Sequence, residues 1–198
     1  IGHSPANIMN AMGDTHVMAN IMTANFTQKR FANLLKAEVG QKRGSCPFDK
    51  FICMNSGSES VTVAFRIADV NAKNQTGPDG KHAGKRIKIL SLQGSFHGRT
   101  DRPAQASDSC MGKYKKYLAT HSQLNNLITV PPNDIAALKA AFAQADAEGS
   151  FIELMLVEPV MGEGDPGVSL DRGFYDVARQ LTRDHGGLLL VDSIQAGL

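Results

Sequence analysis

No apolar run in this sequence approaches the ~20 residues needed to cross a bilayer, and no leader pattern opens it. A membrane partner is therefore not expected. Cysteine is scarce: Cys46, Cys53 and Cys110 are the only three. Their number is odd and their spacing fits no metal site. Free thiols in a reducing, intracellular setting are expected, in the cytoplasm or the mitochondrial matrix, and no metal. An excess of one charge is also missing. The formal net charge is +2, which gives no reason to expect nucleic acid as a partner. There is no internal repeat and no low-complexity tract. Tryptophan is absent, and that decides nothing.

What is present is ordinary for a globular protein. The chain has 198 residues, 42% of them hydrophobic and 20% charged, enough for one domain with a sizeable core. It opens on Ile1-Gly2 without Met and closes just after an apolar run. The expectation is an internal segment of a longer protein.

Periodicity gives an alternation of elements. Helices are predicted over 5–12, over 25–39 with Asn25 as N-cap, over 59–72, from a cap at Asn133 to 147, and over 170–185. Strands are predicted over 51–54, 86–92, 127–130, 152–157 and 188–191. Residues 74–85 and 94–102 read as loops, and 114–121 as a short helix or irregular segment. Strands alternating with helices imply an α/β fold: a mostly parallel, doubly wound sheet with helices on both faces.

The run Leu188-Leu189-Leu190-Val191 reads as a central strand buried on both faces. It ends at Asp192, at the sheet edge where open α/β folds bind ligands. A carboxylate there needs a cation or protonated nitrogen beside it, although Asp also suits a cap or turn. Ser56-Gly57-Ser58 sits between a strand and a helix, where amides can meet a phosphate or where a plain N-cap can form. Glu158 and Glu163 could do acid/base work, or glycoside hydrolysis, or be solvated strand-end charges. Phe96, His97 and Arg99 in a loop have bland readings too: a core plug, a structural His and a solvated Arg. Lys113, Lys115 and Lys116 read as a solvated face.

Four stretches occur in one order: Asn55-Ser56-Gly57-Ser58-Glu59, Phe96-His97-Gly98-Arg99-Thr100, Glu158-Pro159-Val160-Met161-Gly162-Glu163-Gly164 and Asp192-Ser193-Ile194-Gln195. With Gly2-His3-Ser4-Pro5 before them, they make nearly the whole chain resemble the class III (ω-amino-acid) aminotransferases, pyridoxal phosphate enzymes of fold type I. The resemblance implies that residues 1–198 are part of the cofactor-binding large domain. Gly57 and Ser58 would then hold the phosphate of pyridoxal 5'-phosphate, with Phe96 stacked on its ring, His97 beside it and Glu158 lining the site. Asp192 would keep the pyridine nitrogen protonated, and Gln195 would bond the phenolic oxygen. Arg99 would receive a substrate carboxylate. Glu163 would gate it by pairing with an Arg further along the enzyme. The implied reaction moves an amino group from an ω-amino acid or diamino acid to a 2-oxo acid. The implied assembly is a homodimer, with Met9, Met12, Met18 and Met22 forming either part of the contact or part of the core.

Other readings stay open: a racemase or decarboxylase of the same family, or a non-catalytic binding or assembly protein of this fold. The family's Schiff-base lysine lies downstream of Asp-x-x-Gln. No Lys here matches it, so this chain alone is expected to be inactive. Ser60, Asp101-Arg102-Pro103, Met161, Asp165-Pro166 and Ser193 depart from the family pattern around the site.

Overall fold

The computed structural model describes residues 5–12, 26–42 and 44–197. Two compact units divide at Cys53/Met54. The first holds helices α1 (Ala6–Met12) and α2 (Phe26–Gly40). The periodic residues Phe26, Phe31, Leu34 and Val39 of α2 are exposed. Gly40 is buried against the returning chain, where a Cβ would lie 2.9 Å from the Cys46 amide nitrogen. Met9 is exposed. Asn25, Met18, Met22, the Met12 side chain and the Gly2-His3-Ser4 stretch lie outside the described residues. The strand predicted over 51–54 does not form: the segment has no strand partner among the described residues, and strand geometry without a neighbour leaves its hydrogen bonds unmade.

The second unit is a four-stranded parallel sheet in the order β2-β1-β3-β4. Its strands are β1 (Arg86–Leu92), β2 (Leu127–Val130), β3 (Ser150–Val157) and β4 (Leu188–Val191). β1 and β2 pair from Ile89↔Leu127 to Leu92↔Val130. β3 and β4 pair from Leu154↔Leu188 to Val157↔Val191. The chain goes from β1 outward to β2 and returns past β1 to β3. The strand order thus reverses between β1 and β3, and parallel sheets open a crevice at such a point.

Helices cover both faces, as alternating side chains of buried strands require. α3 (Gly57–Thr76) and α4 (Asp101–Ala106) pack one face, where Val61, Phe65 and Ala68 meet Ile89, Leu154 and Leu156. α6 (Ile135–Ala147) and α7 (Arg172–His185) pack the other, where Leu138, Phe142 and Phe174 meet Leu90, Ile152 and Met155. Between α4 and β2 the chain forms α5 (Asp108–Tyr117) and a 3-10 turn, Ala119–His121.

Several expectations need correction. β3, not β4, is the strand buried along its whole length. Among the described residues β4 has one strand neighbour, β3, and partial exposure, and Val191 is exposed. A four-residue apolar run reports burial, but not which strand has two neighbours. α3 continues four residues past the predicted stop, through Asn74-Gln75-Thr76, and ends at Gly77. His82, predicted to lie in an exposed loop, is buried and stacks on Phe151 with ring centroids 4.6 Å apart. The predicted loop over 94–102 turns helical at Asp101. The cap of α6 is Asp134, whose carboxylate accepts from the Ala137 amide at 2.8 Å. Asn133 instead takes a left-handed φ of 63° and ties to Ser169 and Asp171. Gly186 closes α7 with φ 76°, a conformation glycine adopts without a Cβ penalty.

Two ionic clusters tie elements together. Arg102 of α4 pairs with Glu153 of β3, whose side chain is fully buried, and lies over the Phe65 ring at 5.0 Å. Burial pushes the Glu153 carboxyl above its ordinary range despite the guanidinium. At the surface, Asp146 accepts from Lys85 at 2.8 Å and lies 3.0 Å from His185 Nε2. The Lys85 hydrogen bond is the main cause holding the Asp146 carboxyl below its ordinary value. A depressed carboxylate contributes stability above its unfolded value and loses it as pH falls through the folded one. Asp146→Asn should therefore cost under about 1 kcal/mol at neutral pH, since the pair is partly solvated. In acid it should cost nothing. Urea titrations at the two pH values check this; a deficit unchanged in acid would contradict it.

Candidate functional site

Three segments converge at the carboxyl ends of β1, β3 and β4. The first is the start of α3. Ser56, its N-cap, has extended backbone angles, and its Oγ accepts from the Glu59 amide. Glu59 reaches back to the amide of Asn55, one residue before the cap, at 3.0 Å. The cap satisfies Glu59, whereas the amides of Gly57 and Ser58 lie in the first turn, where no intrahelical acceptor exists. A Cβ at Gly57 would sit 2.7 Å from Ile194 Cδ1, so this helix end lies against the segment after β4.

The second segment is the loop after β1, which three buried groups pin. Glu158 Oε2 accepts from the Phe96 amide at 3.1 Å. Ser107 Oγ accepts from the His97 amide at 2.9 Å and lies 2.9 Å from the Gly98 carbonyl. The His97 ring packs beside Asp192, with Nδ1 2.9 Å from Oδ2. Gly98 has φ 116°, and a Cβ there would lie 2.6 Å from Ser58 Oγ, so this loop and α3 touch backbone to side chain. Asp108 accepts from the Gly94 amide at 2.8 Å and Ser109 donates its amide to Ser95 at 3.1 Å, anchoring the loop to α5.

The third segment is the turn after β3 together with the residues after β4. The Asp192 amide still bonds the Val157 carbonyl at 2.8 Å, which fixes the carboxylate at the strand end. Gln195 Oε1 accepts from the Glu163 amide at 2.8 Å, which leaves the Gln195 NH2 group as the end able to donate elsewhere.

Ser56, Gly57, Ser58, Phe96, His97, Gly98, Asp192, Ile194 and Gln195 enclose one pocket of about 200 Å³. A second groove, of about 310 Å³ between β2 and α6, has only Lys88 and Glu148 as charged lining residues. It offers no paired acid and base, so the chemistry lies in the first.

The other expected residues fall around this pocket. Glu158 is buried behind the loop instead of lining the pocket. Its second oxygen accepts from the Gly162 amide at 3.2 Å, so it joins the turn after β3 to the loop after β1. Burial pushes its carboxyl up, against the pull of the Phe96 and Gly162 amides. Arg99 lies 5.7 Å from the Phe96 ring centroid and pairs with Glu163 at 3.4 Å, both exposed. Among the described residues, Arg99 is thus the cation facing Glu163. Asp192 has the partner its burial demanded, the His97 ring. Ser107 and the Glu153–Arg102 pair escaped sequence reasoning. A lone Ser carries no pattern, and a Glu inside an apolar strand looks like an interruption until its Arg is placed against it. Among the described residues no cluster of His, Cys, Asp or Glu could hold a metal ion, and no helix is long and apolar enough to cross a membrane.

Comparison with known proteins places this geometry. The model of the aminotransferase class-III family matches residues 1–198. The acetylornithine aminotransferase of Mycolicibacterium smegmatis is 34% identical over 148 residues, covering 75% of this chain and 32% of that protein. That of Thermosynechococcus vestitus is 35% identical over 156 residues, covering 78% of this chain and 34% of the other. The chain thus spans about a third of the length of these curated relatives. Among solved structures, the ornithine aminotransferase of Toxoplasma gondii superposes with a TM-score of 0.72 at 23% identity over 100% of this chain and 42% of its own. The lysine aminotransferase of M. tuberculosis gives 0.68 at 21% identity, over 97% and 45%. At that identity the structures speak for the fold alone, and the sequence match supplies the family: the chain belongs to the class III aminotransferases.

Proposed function

We propose that this pocket binds pyridoxal 5'-phosphate and that the whole protein moves an amino group from a diamino or ω-amino acid to a 2-oxo acid. One observation carries the reading: a single pocket joins the amide end of α3 to a buried carboxylate at the end of β4. A helix N-terminus favours a phosphate, and a buried carboxylate favours a protonated ring nitrogen. Between them lies an aromatic side chain, Phe96. The donor set therefore fits a phosphorylated aromatic heterocycle.

When bound, the cofactor supplies an electron sink for the bonding electrons at the amine-bearing carbon. The chain's own residues do the rest. Gly57 and Ser58 hold the phosphate through their amides. Phe96 covers one face of the ring and excludes water. Asp192 holds a proton at the ring nitrogen, and the Gln195 NH2 donates to the ring oxygen. Glu158 acts from behind, fixing the Phe96 and Gly162 backbones. Arg99 receives a substrate carboxylate with its planar donor fork, and Glu163 leaves it when substrate enters. Residues 1–198 make up part of the cofactor-binding large domain, and the protein works as a homodimer. Relatives named for acetylornithine and ornithine support a diamino-acid donor.

The test is turnover by the whole protein. With pyridoxal 5'-phosphate, N-acetylornithine or ornithine, and a 2-oxo acid, wild type should release the amino acid made from the 2-oxo acid. No product with any diamino or ω-amino donor would overturn the reading. Arg99→Ala should raise KM for a carboxylate-bearing donor far more than for a simple amine, by the equivalent of about 1.5–3 kcal/mol, the usual worth of a hydrogen bond to a charged group. Equal losses on both would remove Arg99 from substrate recognition.

A further inference from the structure

We propose that His97 is a positioning residue that acts on the cofactor through Asp192, in a neutral form with its proton on Nδ1. The inference rests on the pyridoxal phosphate reading of the pocket. The His97 side chain is completely buried and that of Asp192 nearly so, with Nδ1 2.9 Å from Oδ2. An ionised carboxylate only accepts, so the hydrogen bond requires a proton on Nδ1. Nε2 is buried and has no hydrogen-bond partner among the described residues. A second proton there would bury an N–H with no acceptor among the described residues; a bare lone pair costs less. The neutral ring therefore orients Asp192 without neutralising it.

The rest of the geometry supports that role. Asp192 Oδ1 accepts from the Ile194 amide at 3.3 Å, so a separate donor holds each carboxylate oxygen. Ser107 fixes the His97 backbone from behind through the His97 amide. The carboxylate cannot rotate without breaking one of these bonds. Its charge stays aimed into the pocket, where a ring nitrogen would keep its proton. Directly binding groups depend in this way on the partners that orient them.

The experiment compares two probes on the whole protein freed of cofactor. Pyridoxine 5'-phosphate binds without a covalent link. Its 1-deaza analogue has a carbon in place of the ring nitrogen. His97→Leu should weaken pyridoxine 5'-phosphate by about 10- to 100-fold, the range for loss of such an orienting partner. It should weaken the deaza analogue far less. His97→Asn, whose amide nitrogen can take the place of Nδ1, should restore most of the affinity. Equal loss for both probes, or no loss for either, would overturn the proposal. Failure of wild type to bind either probe would instead remove the cofactor reading on which it rests. Should His97→Leu not fold, 15N shifts of the His97 ring in wild type decide. A protonated Nδ1 with a bare Nε2 is expected, and the opposite tautomer overturns the proposal.

Discussion

Arg102→Met should destabilise the fold by about 3–5 kcal/mol at neutral pH, the usual cost of removing one partner of a buried ion pair. The cause is Glu153. Its carboxylate sits in the middle of β3, fully buried, and among the described residues Arg102 is its only cation. One Glu153 oxygen already lacks a hydrogen-bond partner. Met would keep an apolar side chain beside Phe65 but leave the charge uncompensated. Burial has raised the Glu153 carboxyl, so its contribution is fully present below the unfolded value and lost as pH rises through the folded one. The deficit should therefore shrink as pH falls and the carboxyl takes a proton. Adding Glu153→Met should recover most of the loss, because paired apolar replacements of buried ion pairs are often neutral or better. Urea titrations of wild type, single and double variants measure both effects. A double variant as weak as the single, or a deficit independent of pH, would contradict the assignment.

Asp192→Asn should lower kcat by about 10²–10³-fold, the usual loss when one preorganised polar group is removed from where charge develops. Asn keeps the size of the side chain and can still accept from His97 Nδ1. It cannot offer a negative charge to a ring nitrogen. The loss should therefore fall on kcat, with KM changed little. Steady-state kinetics on the whole protein separate the two, and a kcat within a few fold of wild type would deny Asp192 its role.

Strand positions could be read closely from sequence because burial writes a local pattern. β1 and β2 begin and end where apolar content predicts. Sheet order leaves no such local mark. Leu188–Val191 has the strongest apolar run, yet among the described residues it has one strand neighbour, and β3 has two with a Glu at its centre. The start of α5 was hidden by Gly112 and by the polar Lys113-Tyr114-Lys115-Lys116 run, which carries no apolar stripe. In the site, motif residues told which side chains gather but not what holds them. Glu158 was expected to line the pocket and turns out to accept from two backbone amides. Glu163 was expected to await an Arg further along and lies against Arg99, a residue 64 positions earlier. Those contacts depend on two loops crossing at the sheet's carboxyl edge, which no spacing along the chain reports.

The most direct measurement of the central claim is a crystal structure of the whole protein reconstituted with pyridoxal 5'-phosphate. The expected result places the phosphate on the amides of Gly57 and Ser58, the ring against Phe96 and its nitrogen beside Asp192. A phosphate bound elsewhere, or a ring nitrogen turned away from Asp192, would contradict it.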